Sequence, residues 1–310
     1  MAVRSHSIAG TGALARQSPV GRLLEREAVF SWLMLGPAVI FLLAMVAYPF
    51  FYGIYLSLEA RAVAQDGQFV GLQNYLANMN DPVFWQVARN TVVFTTVATV
   101  FKLLGGMGLA LVMNQQFPFK NLVRAALLLP WIVPTVLSTI AWMWIFDPTF
   151  SVFNWLLVNW GLAERGPSWV GDGFWAMTMV IIANVWRGLP FYAITLLAAL
   201  QTISQELYEA AAIDGATTGQ RFRHVTLPML KPVLIITTMF SVIWTFSDFQ
   251  LVYVLTGGGP ANQTHLFATY AFNIAMGAGQ LGSGASVALS MLPPLLLVIA
   301  ALTIYLRRAN

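Results

Sequence analysis

Apolar residues along this chain gather into six long runs, at 29–57, 90–113, 123–146, 174–200, 233–256 and 285–306. Each is long enough for a helix of about 20 residues to cross the ~30 Å hydrocarbon core of a bilayer. The runs are apolar on all sides rather than on one stripe, so lipid is their expected solvent. The expected fold class is all-α, a polytopic membrane protein with six transmembrane helices. The first run continues through Pro49. A further apolar piece, FSVFNWLLVNWGL at 150–162, is too short to span. Its Trp155 and Trp160 suit either a helix lying at the interface or a packed connector. Pro293 and Pro294 predict a kink in the last span. GAGQLGSGAS at 277–286 reads as a loop or as an outer gate.

Composition supports the same solvent. The 310 residues are 58% hydrophobic and 9% charged, against about 25% charged in soluble domains, and mean hydropathy is +0.71. There is no cysteine, which excludes a disulfide framework and thiolate metal or redox sites. The net charge of +4 carries no basic block, and no nucleic-acid partner is expected. Residues 1–28 are mixed and polar, with Arg4, Arg16, Arg22 and Arg26, and form a candidate cytoplasmic tail ahead of a transmembrane domain at 29–310. The first apolar run exceeds a signal-peptide core of about 7–15 residues and is expected to be retained. With the N-terminus inside, eleven of the 16 Lys and Arg fall in cytoplasmic segments, three in outer loops and two, Lys102 and Arg187, inside spans. By the positive-inside bias, both termini and the polar loop at 202–231 are expected in the cytoplasm.

That loop interrupts the apolar pattern with YEAAAIDGATTGQRFRHVTLPMLKP, Tyr208–Pro232. Thr202 with Gln205, and Thr217 with Gln220, have capping-box spacing, and Ser204 and Glu206 also suit a first turn. Glu209, Ala210, Ala211 and Ala212 give a helix with little bulk on one face. Gly215 breaks it, a second short helix follows, and Pro228 and Pro232 are expected to end that helix before the fifth span. The small face, rimmed by Glu209, Asp214, Arg221 and Arg223, suits close docking by another surface. A solvated connector is the alternative reading.

The spacing of Glu209-Ala210-Ala211, Gly215, Val225 and Leu227-Pro228 resembles the signature loop of ABC importer permeases, with Val225 where that family more often has Ile. GLQNYLANMNDPVFWQVARNTVVFT (71–95), LLPWIVPTVLS (128–138) and LVYVLTGGGP (251–260) are similar to carbohydrate-type permeases, in particular the first-permease type of the maltose and glycerol-phosphate systems. The resemblance implies a type I importer fold. It also implies a second homologous permease, two copies of an ABC ATPase, an extracytoplasmic solute-binding protein and a sugar-like solute. The coupling element would be Glu209, Ala210, Ala211, Asp214, Gly215, Leu227 and Pro228. The chain would bind no cofactor itself, ATP and Mg2+ residing on the ATPase. This agrees with the lack of a G-x-x-x-x-G-K-[ST] phosphate loop; TGGGPANQT at 256–264 lacks the Lys.

Polar groups inside spans are costly and mark buried pairs or a solute path. Lys102 fits a helix-paired or snorkelling lysine. Arg187 sits in ANVWRGLP, where Gly188 and Pro190 are expected to loosen the fourth helix, and Asp248 sits on the fifth span. Arg187 and Asp248 either pair with each other or also face solute hydroxyls. Similarity to the maltose-type permeases implies a pathway formed by Trp131, Thr135, Asn184, Arg187, Gly188, Phe191, Trp244, Thr245 and Asp248. Aromatic faces beside hydroxyl, amide and carboxylate groups suit a pyranose. Arg187 also suits a sugar phosphate or another anionic solute such as glycerol-3-phosphate. Two other classes fit the sequence less well. A membrane-embedded enzyme lacks support, since His6, His224 and His265 have no ligand spacing and there is no G-x-S-x-G. A stand-alone secondary transporter would often show inverted repeats, and none is convincing.

Overall fold

The computed structural model describes residues 27–309; the expectations for the N-terminal tail, with its four arginines, lie outside them. The described residues divide into two compact units after Gly53. Helix α1 (Glu27–Leu42), in the first, runs through a widened π turn (Leu43–Ala47) into α2 (Tyr48–Ser57), within which the division falls. This helix explains how the run continues through Pro49. A proline ring collides with the carbonyl four residues earlier, here Met45, and the widened turn contains that residue. The span Ser31–Ser57 has a mean hydropathy of 2.1 and none of its apolar window is buried.

The second unit opens with a two-residue antiparallel pair, β1 (Glu59–Ala60) and β2 (Gln68–Phe69), in the register Glu59 to Phe69. Short α3 (Gln73–Met79) precedes α4 (Pro82–Asn114). This second span starts eight residues before the apolar run, because Asp81 caps it by accepting from Val83 N at 2.8 Å and Pro82 takes the first turn. Helices α5 (Lys120–Ile132) and α6 (Thr135–Ile145) together replace the expected third span. They meet at 95°. Pro134 supplies no N–H, and Val133 before it is extended (φ −65°, ψ 130°), as pre-proline sterics favour. Helix α7 (Val152–Asn159) is capped by Ser151, and its Trp155 faces outward while Asn154 accepts from Trp169 Nε1 at 2.7 Å. It packs on one face, as the connector reading expects, and is exposed on the other.

Helix α8 (Gly173–Leu200) is continuous. Gly188 and Pro190 do not break it, which corrects the expectation of a loosened fourth span. The loop region follows as α9 (Gln205–Ile213), α10 (Thr218–Arg221) and a π turn (Phe222–Thr226) that leads directly into α11 (Leu227–Phe246). Pro228 and Pro232 therefore do not end the second loop helix. The wide turn contains His224, the residue whose carbonyl the Pro228 ring would strike, and Thr218–Phe246 forms one 29-residue run. The expected fifth span breaks at Ser247–Phe249, and α12 (Gln250–Leu255) is separate. After α13 (Phe267–Phe272) and a third π turn (Asn273–Gly277), α14 (Leu281–Ser290) and α15 (Leu292–Ala309) complete the chain. The last span is interrupted at Met291, just ahead of Pro293-Pro294, as the prolines predict. The 277–286 segment is mostly helix rather than loop.

Length and apolarity mark five helices as spans, and the bent α5–α6 pair makes six. The most extensive pairing is between α4 and α8. Glycine makes it possible: a Cβ on Gly106 would sit 2.3 Å from Tyr192 Cβ, whereas one on Gly108 meets nothing within 4 Å. Small residues at helix contacts let membrane helices approach where no hydrophobic effect drives them together. We expect Gly106→Ala to lower the thermal midpoint of the purified chain, with an overpacking cost of about 1–3 kcal/mol. Gly108→Ala should leave it unchanged or slightly raised.

Candidate functional site

Two places stand out. At one end, α9 and α10 form an exposed hairpin. The Glu209, Ala210 and Ala212 side is exposed, and Ile213 is 87% exposed, an uncovered large apolar side chain at the tip. Helix α9 starts at Ser204, which accepts from Glu206 N at 3.3 Å; Thr202 instead bonds back to Ala199 O, so the first expected capping box is absent. Gly215 has φ +79°, where a side chain is disfavoured. Ala216 N donates to Ala211 O at 2.9 Å and Gly215 N to Ala212 O at 3.0 Å, a Schellman end. The second capping box is present, with Thr217 N donating to Gln220 Oε1 at 2.8 Å. Tyr208 and Thr226 share a 2.9 Å hydroxyl bond that ties the hairpin to the π turn. Ala211, Asp214 and Gly215 line a cavity of about 280 Å³ with Gln220, Arg221 and His224. Leu227 and Pro228 lie exposed at the start of α11.

The second place is deep among the spans. The break at Ser247–Phe249 puts Asp248 off the helix, not on it as expected, and its Oδ1 accepts from Leu251 N at 3.3 Å to start α12. Its Oδ2 accepts from Arg187 Nη2 at 2.5 Å and from Asn184 Nδ2 at 2.9 Å. Asn184 Oδ1 in turn accepts from Lys102 Nζ at 3.0 Å, and Lys102 also donates to Thr245 Oγ1 at 2.6 Å. Arg187 Nη1 donates to Thr135 Oγ1 at 3.3 Å. One chain of charge-assisted bonds thus joins α4, α6, α8, α11 and the break. Lys102 is 3% exposed. It is helix-paired, one of the two expected alternatives, and it also lines the same small cavity as the expected pathway residues. Its partners on α8 and α11 show this, together with its place beside Gly188: a Cβ there would lie 2.4 Å from Lys102 Cδ. The glycine makes room for the lysine stem.

Beside this network Trp131, Phe191 and Trp244 converge. Trp131 stacks on Phe191 at 5.5 Å, and Trp244 meets Phe191 edge-on at 5.0 Å and Trp131 at 5.6 Å. These rings, with Lys102, Asn184, Arg187, Gly188, Ser241 and Thr245, enclose a cavity of about 40 Å³. Thr135 and Asp248 attach to it through Arg187. The structure therefore brings every expected pathway residue together and adds Lys102 and Ser241. The space is close to the ~30 Å³ share of one liquid water, so a sugar ring enters only if the surrounding helices part. Among the described residues no group of three His, Asp or Glu could hold a metal.

Spans, bent third helix, exposed hairpin and buried polar chain define a membrane-embedded transport component. Residues 102–310 match the family of binding-protein-dependent transport system inner membrane components. The chain belongs to that family, and is a multi-pass inner-membrane protein that serves transport rather than catalysis. It is 36% identical to the trehalose/maltose transport system permease protein MalF of Thermococcus litoralis, over 86% of this chain and 90% of that one. It is 34% identical to the sulfoquinovosyl glycerol transport system permease protein SmoG of Agrobacterium fabrum, over 91% and 90%. Among solved structures, a chain of the bacterial ABC transporter that imports the acidic polysaccharide alginate superposes with TM-score 0.78 at 20% identity, covering 94% of this chain and 99% of that one. The type I importer fold expected from sequence is the observed one.

The network yields a direct test. Asp248 pairs directly with partly buried Arg187 and, through Asn184, is linked to buried Lys102, and removing one member of a buried ionic group costs about 3–5 kcal/mol. Asp248→Ala is expected to destabilise the detergent-purified chain by that order in thermal unfolding. Adding Lys102→Met to Asp248→Ala should recover part of the loss by removing one uncompensated charge.

Proposed function

We propose that this chain is the permease subunit of an ATP-driven, binding-protein-dependent importer for a sugar or sugar derivative, and that it supplies half of the translocation pathway. Its working partners are a second homologous permease, two copies of an ABC ATPase that hold ATP and Mg2+, and an extracytoplasmic solute-binding protein. Relatives named for trehalose and maltose, sulfoquinovosyl glycerol, diacetylchitobiose and lactose support the carbohydrate class. So does the chemistry of the buried site, where three aromatic faces stand beside amide, hydroxyl and ionic groups.

One observation carries the coupling claim. Thr218–Phe246 is continuous, so the second helix of the hairpin and the Trp244–Thr245 end of the buried site lie on one run about 40 Å long, to which the Tyr208–Thr226 bond ties the first. In this reading the ATPase seats on Glu209, Ala210, Ala211, Asp214, Gly215, Leu227 and Pro228, from the cytoplasm. Closure of the ATPases displaces the hairpin and the rod carries that displacement to Trp244, Thr245 and the Asp248 break. Parting of the rings then opens space for solute released by the binding protein. The two states differ in the contacts of Asp248 and the aromatic trio, which is the differential interaction that a population shift requires.

A second reading within the class rests on the charge balance. Lys102 and Arg187 face one carboxylate, which favours an anionic sugar derivative such as a sugar phosphate over a neutral one.

Reconstitution of the full importer with its binding protein tests both readings. Glu209→Ala and Gly215→Ala should leave insertion intact and lower ATP-dependent uptake by roughly 5–150-fold, the range of a coupling free energy of about 1–3 kcal/mol. Full uptake by these variants would remove the docking role. Accumulation of neutral glycosides compared with sugar phosphates decides the solute class.

A further inference from the structure

Two cavities of the second unit are parts of one groove. The upper part, of about 680 Å³, lies at the start of α4 and α8, at the end opposite the α9–α10 hairpin. The lower part, of about 620 Å³, shares Val93, Phe174 and Met177 with it and continues between the same two helices. Lining residues recur on α4 at 89, 93, 97 and 101 and on α8 at 174, 178, 181, 182, 185 and 189. Both series have helical spacing, so the groove follows two facing stripes.

Its chemistry changes along its length. At the mouth stand exposed Trp85, a side chain suited to the depth of lipid headgroups, exposed Phe174, and Arg89. The neighbouring amides are already engaged: Gln86 Nε2 donates to Ala261 O at 3.3 Å and Asn90 Nδ2 to Asn262 O at 3.1 Å. Arg89 takes part in neither of the two ion pairs found among the described residues, Arg61–Glu59 and Arg187–Asp248. Beyond Val93 the lining is apolar except for Thr178.

Length decides between occupants. From Arg89 to Phe101 the groove runs about 18 Å at the helical rise. One leaflet contributes about 15 Å of hydrocarbon, and a whole bilayer about 30 Å. At the inner end Leu189 packs on Gly105: a Cβ at Gly105 would lie 3.1 Å from Leu189 Cδ2. A transmembrane helix of a partner would need a groove that continues to the other side. We propose that this groove binds one phospholipid from the leaflet on that side, with its phosphate against Arg89 and an acyl chain between α4 and α8.

A photoreactive side chain placed at Ile182, in the full chain expressed with its partner subunits and held in nanodiscs containing phosphatidylglycerol, reads the occupant directly. A lipid adduct is the expected result, and an adduct to protein overturns the proposal. In native mass spectrometry of the same complex, the wild type should retain one phosphatidylglycerol. Arg89→Gln should weaken retention at least about tenfold, the loss expected for a hydrogen bond to a charged group, and Arg89→Lys should restore most of it. Diacylglycerol, which lacks the phosphate, should be held by wild type no better than phosphatidylglycerol is held by Arg89→Gln. Equal retention of phosphatidylglycerol by wild type and Arg89→Gln overturns the headgroup assignment.

Discussion

A carboxylate held off a helix, between two cations and far from bulk water, organises the middle of this protein. Charge at that depth is tolerated only when it is paired and hydrogen-bonded. Asp248 meets the condition by ending one helix and beginning another, so its two oxygens reach both a backbone N–H and side chains from α8. Asn184 then works as an adaptor. Its amide gives a hydrogen to Asp248 and takes one from Lys102, which lets a second cation join without a second acid. The spans cannot slide far without separating members of this chain.

The rest of the site is arranged around that fixed centre. The bend at Val133–Pro134 swings Thr135 toward Arg187 and leaves Trp131 against Phe191. Trp244 comes from the long run that starts at the cytoplasmic hairpin in the proposed topology. Aromatic surface and ionic network are therefore positioned by different elements, and a motion of either element changes their mutual fit. The small volume between them is the consequence of their present fit.

The sequence disclosed what depends on composition over long windows. Six apolar runs became six spans, and the Glu209–Pro228 loop emerged as the exposed hairpin with Gly215 in the left-handed region. Breaks within runs stayed hidden, because LLPWIVPTVLS and WTFSDFQ remain apolar enough to read as uninterrupted helix. The prolines misled in both directions. Pro134 ends a helix that looked continuous, while Pro190, Pro228 and Pro232 lie inside helices that looked broken. Whether a proline breaks a helix depends on room at the carbonyl one turn earlier, and a π turn supplies that room ahead of Pro228. Lys102 reads from sequence as helix-paired or snorkelling, and the partners that decide between the two lie 82 and 143 residues away in the chain. No local pattern carries such information. Gly188 looked like a weak point and is instead the notch through which that lysine passes.

The glycine contact between α4 and α8 has one more implication. Where Gly105 and Gly106 receive Leu189 and Tyr192 directly against the α4 backbone, the pair has little freedom to shear, since a slip drives Tyr192 into the neighbouring turn. In the proposed cycle these two helices would serve as a stator, against which the elbow of α5 and α6 and the long rod rising from the hairpin would move.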